Sequence, residues 1–126
     1  MLLISQILTA VVIIEHLYFL WLEMFAWETR GSKVFKGALK PELFPPTKTL
    51  AANQGLYNGF LAAGLIWTFF ISDLYWQTNI RMFFLACVIV AGVYGAFTAS
   101  RKIFYVQALP AMLAIVFTIL AMKSVV

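Results

Sequence analysis

The chain has 126 residues, of which 63% are hydrophobic and 11% charged, and its formal net charge is +4. Soluble domains carry about 25% charged residues, and a chain of this length cannot bury so much apolar surface in one core. The composition therefore excludes a water-soluble protein and predicts a single transmembrane domain over residues 1–126. Its one cysteine, Cys87, excludes a disulfide framework and a cysteine-rich metal cluster.

Four apolar segments predict four membrane-spanning helices, at about 2–27, 48–71, 79–99 and 102–122. Each is long enough to cross the membrane, because about 20 residues at a rise of ~1.5 Å span the ~30 Å hydrocarbon core. Lipid offers no partners to backbone N–H and C=O groups, so such segments form helices rather than strands. We expect an all-α four-helix bundle.

Lysine and arginine are divided unequally between the two ends of this bundle. The first loop and the third turn hold seven of the nine, whereas the opposite end holds only Arg81 and Lys123. Because cytoplasmic loops are enriched in these residues, both connections are predicted to be cytoplasmic and both termini outside. The basic first loop is either a solvated connector or a lid over a site at that end.

The first predicted helix carries three ionisable side chains, Glu15, His16 and Glu23. An ionisable group at the bilayer centre costs about 2.5 kcal/mol or more, so such groups usually face other helices or a cavity. We expect Glu15 and His16 near the midplane, and Glu23 one turn from the cytoplasmic end, in reach of headgroup water. The pair can serve as interhelical hydrogen-bond partners or as a substrate or proton site. One histidine with scattered carboxylates does not predict a metal site.

The second predicted helix opens with the densest polar cluster of the chain. Asn53 and Tyr57 are four residues apart and share one helical face, while Gln54 and Asn58 share another. Two glycines in the same run allow another helix to approach closely. The four polar side chains either join helices or form the polar wall of a pocket.

More polar groups gather toward the same cytoplasmic end on the third and fourth segments, whereas the outer half of the bundle, apart from its ends, is predicted to be almost purely apolar. This asymmetry predicts a polar pocket that opens to the cytoplasm or its lipid interface. Arg101 is its candidate catalytic residue. Its candidate ligand-binding residues are Glu23, Asn53, Tyr57, Asn58, Tyr94 and Tyr105.

The run ANQGLYNGFLAAGLIW, with EMFAW before it and SRKIFYVQALPAMLA after it, resembles a family of small bacterial integral membrane proteins of unknown function. The resemblance spans nearly the whole chain. It implies a multi-pass protein of the bacterial inner (cytoplasmic) membrane and supplies no activity.

A more distant resemblance is to the MAPEG proteins, trimeric four-helix membrane enzymes of eicosanoid and glutathione metabolism. Their asparagine and tyrosine on helix two are spaced as Asn53 and Tyr57, and a later tyrosine and arginine are spaced as Tyr94 and Arg101. This resemblance implies a MAPEG-like fold, a homo-oligomer, preferably a trimer, and glutathione or another thiol as ligand. Arg101 would stabilise the thiolate, because arginine stays charged.

Three functions are compatible with these features. The first is a MAPEG-type enzyme or binding protein for a small lipophilic or thiol ligand, and whether it is an enzyme stays open. The second is a proton-coupled exporter of the small multidrug type, in which Glu15 exchanges a proton for a cationic substrate. The third is a structural membrane subunit. The sequence has no nucleotide-binding loop, and no nucleic-acid partner is predicted.

Overall fold

A computed structural model describes residues 1–124, which are mostly helical, and no β-strand occurs among them. The five α-helices are α1 (Leu2–Phe25), α2 (Ser32–Val34), α3 (Lys48–Trp67), α4 (Leu74–Thr98) and α5 (Leu109–Lys123). Two π-helical segments, Trp27–Gly31 and Phe104–Ala108, follow α1 and precede α5. Single 3-10 turns lie at Pro41–Leu43 and Thr68–Phe70.

Within the described residues, three helices are long and apolar enough to cross a membrane: α1, α4 and the continuous helix Phe104–Lys123, which contains α5. The remaining long helix, α3, is less apolar because its residues 48–58 include Lys48, Asn53, Gln54 and Asn58. The predictions of an all-α protein and of membrane-spanning helices are confirmed. The fourth crossing stays a prediction.

The start of α4 differs most from the sequence prediction. The helix begins at Leu74, earlier than the predicted 79. Asp73 is its N-cap, and its Oδ1 accepts a hydrogen bond from the backbone nitrogen of Trp76 at 2.9 Å. An aspartate cap satisfies one of the free N–H groups in the first turn, so it allows the helix to begin here. As a result Arg81 lies inside α4 rather than near its start.

Apolar side chains face outward and several polar side chains face inward. Phe25, Phe70 and Phe97 are 73%, 81% and 88% exposed, whereas His16 and Arg81 are 0% and 2% exposed. Water-soluble proteins show the opposite distribution and rarely expose large apolar patches. Lipid around the helices explains both observations, because apolar side chains are stable there and polar groups need partners inside the protein.

The helix α1 is central, since it packs along α3 and α5, while α4 packs against α5 and α3. Glycines allow two of these approaches. A Cβ built on Gly55 of α3 would lie 2.8 Å from Cγ of Met24, and one built on Gly92 of α4 would lie 2.7 Å from the backbone nitrogen of Ala108. The helices could not pack this closely with larger residues at these positions.

The last membrane helix is not uniformly α-helical. Pro110 lies in the first turn of α5, immediately after the π-helical segment Phe104–Ala108. Proline lacks an N–H group and clashes with the carbonyl one turn earlier. The π-helical segment therefore changes the helix geometry at the point where Pro110 would disturb a regular α-helix.

We predict that Gly92→Ala destabilises the protein by about 1–3 kcal/mol, the usual cost of overpacking. The new methyl group meets backbone atoms of Ala108, which cannot move independently of the helix. The matched control is Gly59→Ala, whose methyl group meets only the end of the flexible Leu20 side chain. Thermal unfolding in detergent measures both, and equal stability losses would contradict the packing described here.

Candidate functional site

The buried face of α1 carries a stripe of polar side chains: Ser5, Thr9, His16 and Glu23. Their spacing of four, seven and seven residues places them on one helical face. We call these four residues the polar stripe. Near the start of α1, Oγ of Ser5 lies 2.6 Å from Oγ1 of Thr118 in α5, and Thr9 donates to the carbonyl of Ser5 at 2.7 Å. The stripe therefore joins α1 to a neighbouring helix at that end.

His16 lies in the middle of the polar stripe. Its Nδ1 is 2.8 Å from the carbonyl oxygen of Val12. A carbonyl can only accept, so Nδ1 carries a hydrogen and donates it. Nε2 is buried and has no hydrogen-bond partner in residues 1–124. The ring also packs edge-on against Phe19, with centroids 5.7 Å apart. His16 therefore keeps one ring nitrogen free within an apolar setting.

Glu15 is only partly buried and lies beside the polar stripe. Its Oε2 is buried and unpartnered within the described part of the chain. Neighbouring residues on a helix do not face each other, and no hydrogen bond between Glu15 and His16 is present among these residues. Glu15 and His16 therefore do not form a hydrogen-bonded pair in the described part of the chain.

Glu23 is more buried between helices than the sequence predicts. Its side chain is 4% exposed and is not open to headgroup water. The reason is the close contact between α1 and α3, where the Glu23 side chain packs beside Gly55. Asn58 of α3 is its partner, and its Nδ2 donates to both carboxylate oxygens at 3.4 Å. No hydrogen bond joins His16 to either residue in the described part, so a continuous polar path along α1 is not formed.

Two of the predicted site residues line one surface groove. The groove has a volume of about 540 Å³ and lies where α4 ends and the π-helical segment begins. Arg101 and Tyr105 supply its polar groups. Its other lining residues are Val93, Ala96, Phe97 and Phe104.

Three other predicted site residues do not line this groove. Asn53, Tyr57 and Tyr94 are exposed, the two tyrosines by 60% and 71%. The seven-residue spacing of Tyr94 and Arg101 does not place them on a common helical face, because α4 ends at Thr98. Asn53 and Tyr57 do share a helix, α3, and their face is turned away from the bundle interior.

The first loop is folded around Trp27. Its indole Nε1 donates to Oγ1 of Thr47 at 3.1 Å, and its ring lies 5.5 Å from that of Phe35 and 5.0 Å from that of Phe44. Phe44 is 2% exposed. Lys48 and Glu28 form an exposed ion pair at 3.1 Å, which contributes little by itself. Aromatic packing therefore holds the loop at the basic end of the helices.

The sequence predicts Arg81 in the first turn of a helix that starts at 79, among the few basic residues of the outer end, whereas the earlier start of α4 at Leu74 places it two turns inside the helix. Arg81 is buried in α4, where its Nε donates to Oγ1 of Thr68 at 3.3 Å. Its guanidinium carbon lies 5.1 Å from the ring centroid of Phe69, in range of a cation–π contact. The signal in the sequence is Asp73, because a helix capped there contains Arg81 two turns further on.

The described part of the chain matches a family model over residues 10–119, and the family is described as a protein of unknown function, DUF1304. The chain belongs to the DUF1304 family. A similar relative is the uncharacterised protein YpaA of Lactococcus lactis subsp. lactis (strain IL1403), which is 33% identical over 117 residues. That alignment covers 92% of this chain and 97% of the relative. No solved structure matches the chain.

Membership of DUF1304 confirms the resemblance to a bacterial membrane protein family of unknown function. The resemblance to the MAPEG proteins stays a hypothesis. Neither match assigns a ligand or a reaction to this DUF1304 protein.

We predict that Asn58→Leu lowers the free energy of unfolding by about 1–3 kcal/mol, because it leaves the buried Glu23 carboxyl group without its hydrogen-bond donor. Gln54→Leu is the matched control, since Gln54 lies one turn earlier on α3 and is exposed. Chemical unfolding in detergent measures both variants. If Gln54→Leu is as destabilising as Asn58→Leu, the contact does not stabilise the bundle.

Proposed function

We propose that this chain is a multi-pass protein of the bacterial inner membrane that binds an amphiphilic anion in the groove beside Arg101. In this proposal α3 is the fourth membrane-spanning helix, both termini are outside, and the groove faces the cytoplasm. The observation that carries the proposal is the combination of one arginine with a largely apolar groove at the basic end of the helices.

The lining of the groove suits a ligand with one negative group and an apolar body. Arg101 supplies a permanent positive charge with several donors, and Tyr105 adds a phenol. The volume of about 540 Å³ falls in the range of small-molecule sites, about 300–1,000 Å³. Basic residues of the first loop and of the Arg101–Lys102 turn would attract such an anion from the cytoplasm or the inner leaflet.

A thiolate is one anion of this class, so a thiol or glutathione ligand belongs to the proposal. Thr49 and Leu56 occupy positions where the MAPEG proteins carry a basic residue and a glutamate that hold glutathione. A lipophilic thiol or carboxylate therefore suits this chain better than the charged tripeptide. Among the residues that line the groove there is no nucleophile beside a general base, so we propose binding rather than covalent catalysis.

The exposed polar residues favour a homo-oligomer. Asn53 and Tyr57 of α3 and Tyr94 of α4 face outward in a single chain, in or near the segments proposed to lie in lipid. Polar side chains at membrane depth usually face another helix. A second copy packed against this surface would cover them and could bring them to the groove of its neighbour, and a trimer is the arrangement that the MAPEG hypothesis favours.

Binding can be tested with cis-parinaric acid, a fluorescent fatty acid, and with its uncharged methyl ester. We predict that Arg101→Gln weakens binding of the acid about tenfold, which corresponds to about 1.4 kcal/mol. Lys102→Gln, which removes the neighbouring exposed charge, should change it less than twofold. The methyl ester should bind weakly to all three proteins, and competition by glutathione would identify a thiol peptide as ligand.

Equal affinity of the wild type and Arg101→Gln for the acid would contradict the proposed groove. Equal losses in Arg101→Gln and Lys102→Gln would also contradict it, since they would show attraction to a basic surface rather than a specific contact. Size-exclusion chromatography of each variant checks that assembly is unchanged.

A second candidate function is proton-coupled export, favoured by the buried and unpartnered Oε2 of Glu15 in the described residues. We predict that Glu15→Gln abolishes accumulation of ethidium driven by a pH gradient in proteoliposomes, because the amide cannot exchange a proton. Glu42→Gln, which changes an exposed loop carboxylate, is the control. Transport that survives Glu15→Gln excludes this role. Absence of transport in the wild type also excludes it.

A further inference from the structure

A small cavity lies at the end of the bundle where α1 begins and α5 ends. Its volume is about 60 Å³, and the polar side chains in its lining are those of Ser5, Gln77, Thr78, Arg81, Thr118 and Ser124. A space of this size holds a few water molecules or a small oxyanion, but not a whole amphiphile. The cavity is separate from the groove beside Arg101, so binding in the cavity does not depend on the function of that groove.

The buried cation in this cavity is incompletely paired. Arg81 is 2% exposed, and within residues 1–124 only its Nε has a hydrogen bond, to Thr68. Its Nη2 is buried without a hydrogen-bond partner among residues 1–124. The Phe69 ring offers a cation–π contact, which is weaker than an ion pair. A buried charge without a counter-ion costs several kcal/mol, so the guanidinium requires an acceptor.

The side chains that line the described cavity do not supply a counter-charge to Arg81. The described lining of the cavity includes no aspartate or glutamate. Thr118 donates its hydroxyl hydrogen to the carbonyl of Ala114, so Ser5 donates to Thr118 rather than accepting from it. Thr78 donates to Sδ of Met122 at 3.3 Å, and a thioether is a weak acceptor. A stronger acceptor in the cavity would therefore attract both Thr78 and Arg81.

The depth of Arg81 allows access from the membrane surface. It lies seven residues after Leu74, the start of α4, or about 10 Å along the helix axis. The 25 residues of α4 are about 37 Å long. A centred helix of this length extends a few ångströms beyond each side of the ~30 Å hydrocarbon core. The Cα of Arg81 thus lies about 7 Å inside the core boundary, a depth from which a long arginine side chain can extend toward the headgroups.

We propose that the cavity at Arg81 binds a phosphate group, with the Arg81 guanidinium and the Thr78 hydroxyl as donors. The phosphate neutralises the buried guanidinium and replaces Met122 as acceptor for Thr78. The same chemistry is present in the headgroup of an anionic phospholipid and in free phosphate, so the source is decided by experiment.

The test uses the full-length protein, delipidated in neutral detergent, with line broadening in ³¹P NMR as the readout. The probes are inorganic phosphate, dihexanoyl phosphatidylglycerol and dihexanoyl phosphatidylcholine. We expect Arg81→Gln to weaken binding of the preferred probe at least tenfold, and Thr78→Val to weaken it several-fold. Lys123→Gln, which removes an exposed charge near the same end, should leave the affinity unchanged.

Saturable binding of phosphatidylglycerol alone identifies a lipid headgroup, and saturable binding of inorganic phosphate identifies a soluble anion. Either result supports the site if the affinity depends on Arg81 and Thr78. The proposal is overturned if the wild type binds neither probe, or if Arg81→Gln and Thr78→Val bind as tightly as the wild type. It is also overturned if Lys123→Gln loses as much affinity as they do. Should Arg81→Gln fail to fold, Thr78→Val decides the result alone.

Discussion

The arrangement of this protein depends on one constraint, which is that polar side chains at membrane depth must find partners inside the bundle. The polar stripe of α1 meets this constraint with different helices at its two ends, whereas Nε2 of His16 between them has no partner among the described residues. Ser5 contacts Thr118 of α5 near one end, and Glu23 contacts Asn58 of α3 near the other. The outward face of α1 is left apolar, as lipid requires. The close contact at Gly55 follows from the same need, because the Glu23–Asn58 contact forms only if the two helices lie close together.

The constraint also separates the two ends of the molecule. The loop end carries most of the basic residues and the open groove with Arg101, whose charge is exposed. The opposite end carries one buried cation, Arg81, beside a small cavity. An exposed arginine at the mouth of an apolar groove suits an amphiphile that enters from the bilayer or cytoplasm. A buried arginine in a small polar cavity suits a compact oxyanion. The two proposed sites would take ligands of different size because they differ in burial.

Apolar run lengths were enough to predict the helical class and the approximate helices, and two ionisable residues noted in α1, His16 and Glu23, lie on its buried face. The sequence also identified Asn58 and Glu23 as members of one region, although not their burial. Arg81 was predicted too close to the start of its helix. Hydropathy alone underestimates the length of a helix that begins after a capping aspartate, as α4 does after Asp73. The seven-residue spacing of Tyr94 and Arg101 does not predict whether they share a helical face, because α4 ends between them at Thr98. Tertiary packing, rather than local pattern, decides which polar residues meet.

The central claim is that α1 turns its polar stripe inward and its apolar face to lipid. It can be tested by measuring oxygen accessibility of single spin labels in liposomes, after Cys87 is replaced by serine. Labels at Ile14 and Trp21, which are 65% and 46% exposed, should be readily accessible to oxygen dissolved in the bilayer. Labels at Thr9 and His16 should be several-fold less accessible. Equal accessibility at all four positions, or the reverse order, would contradict the account.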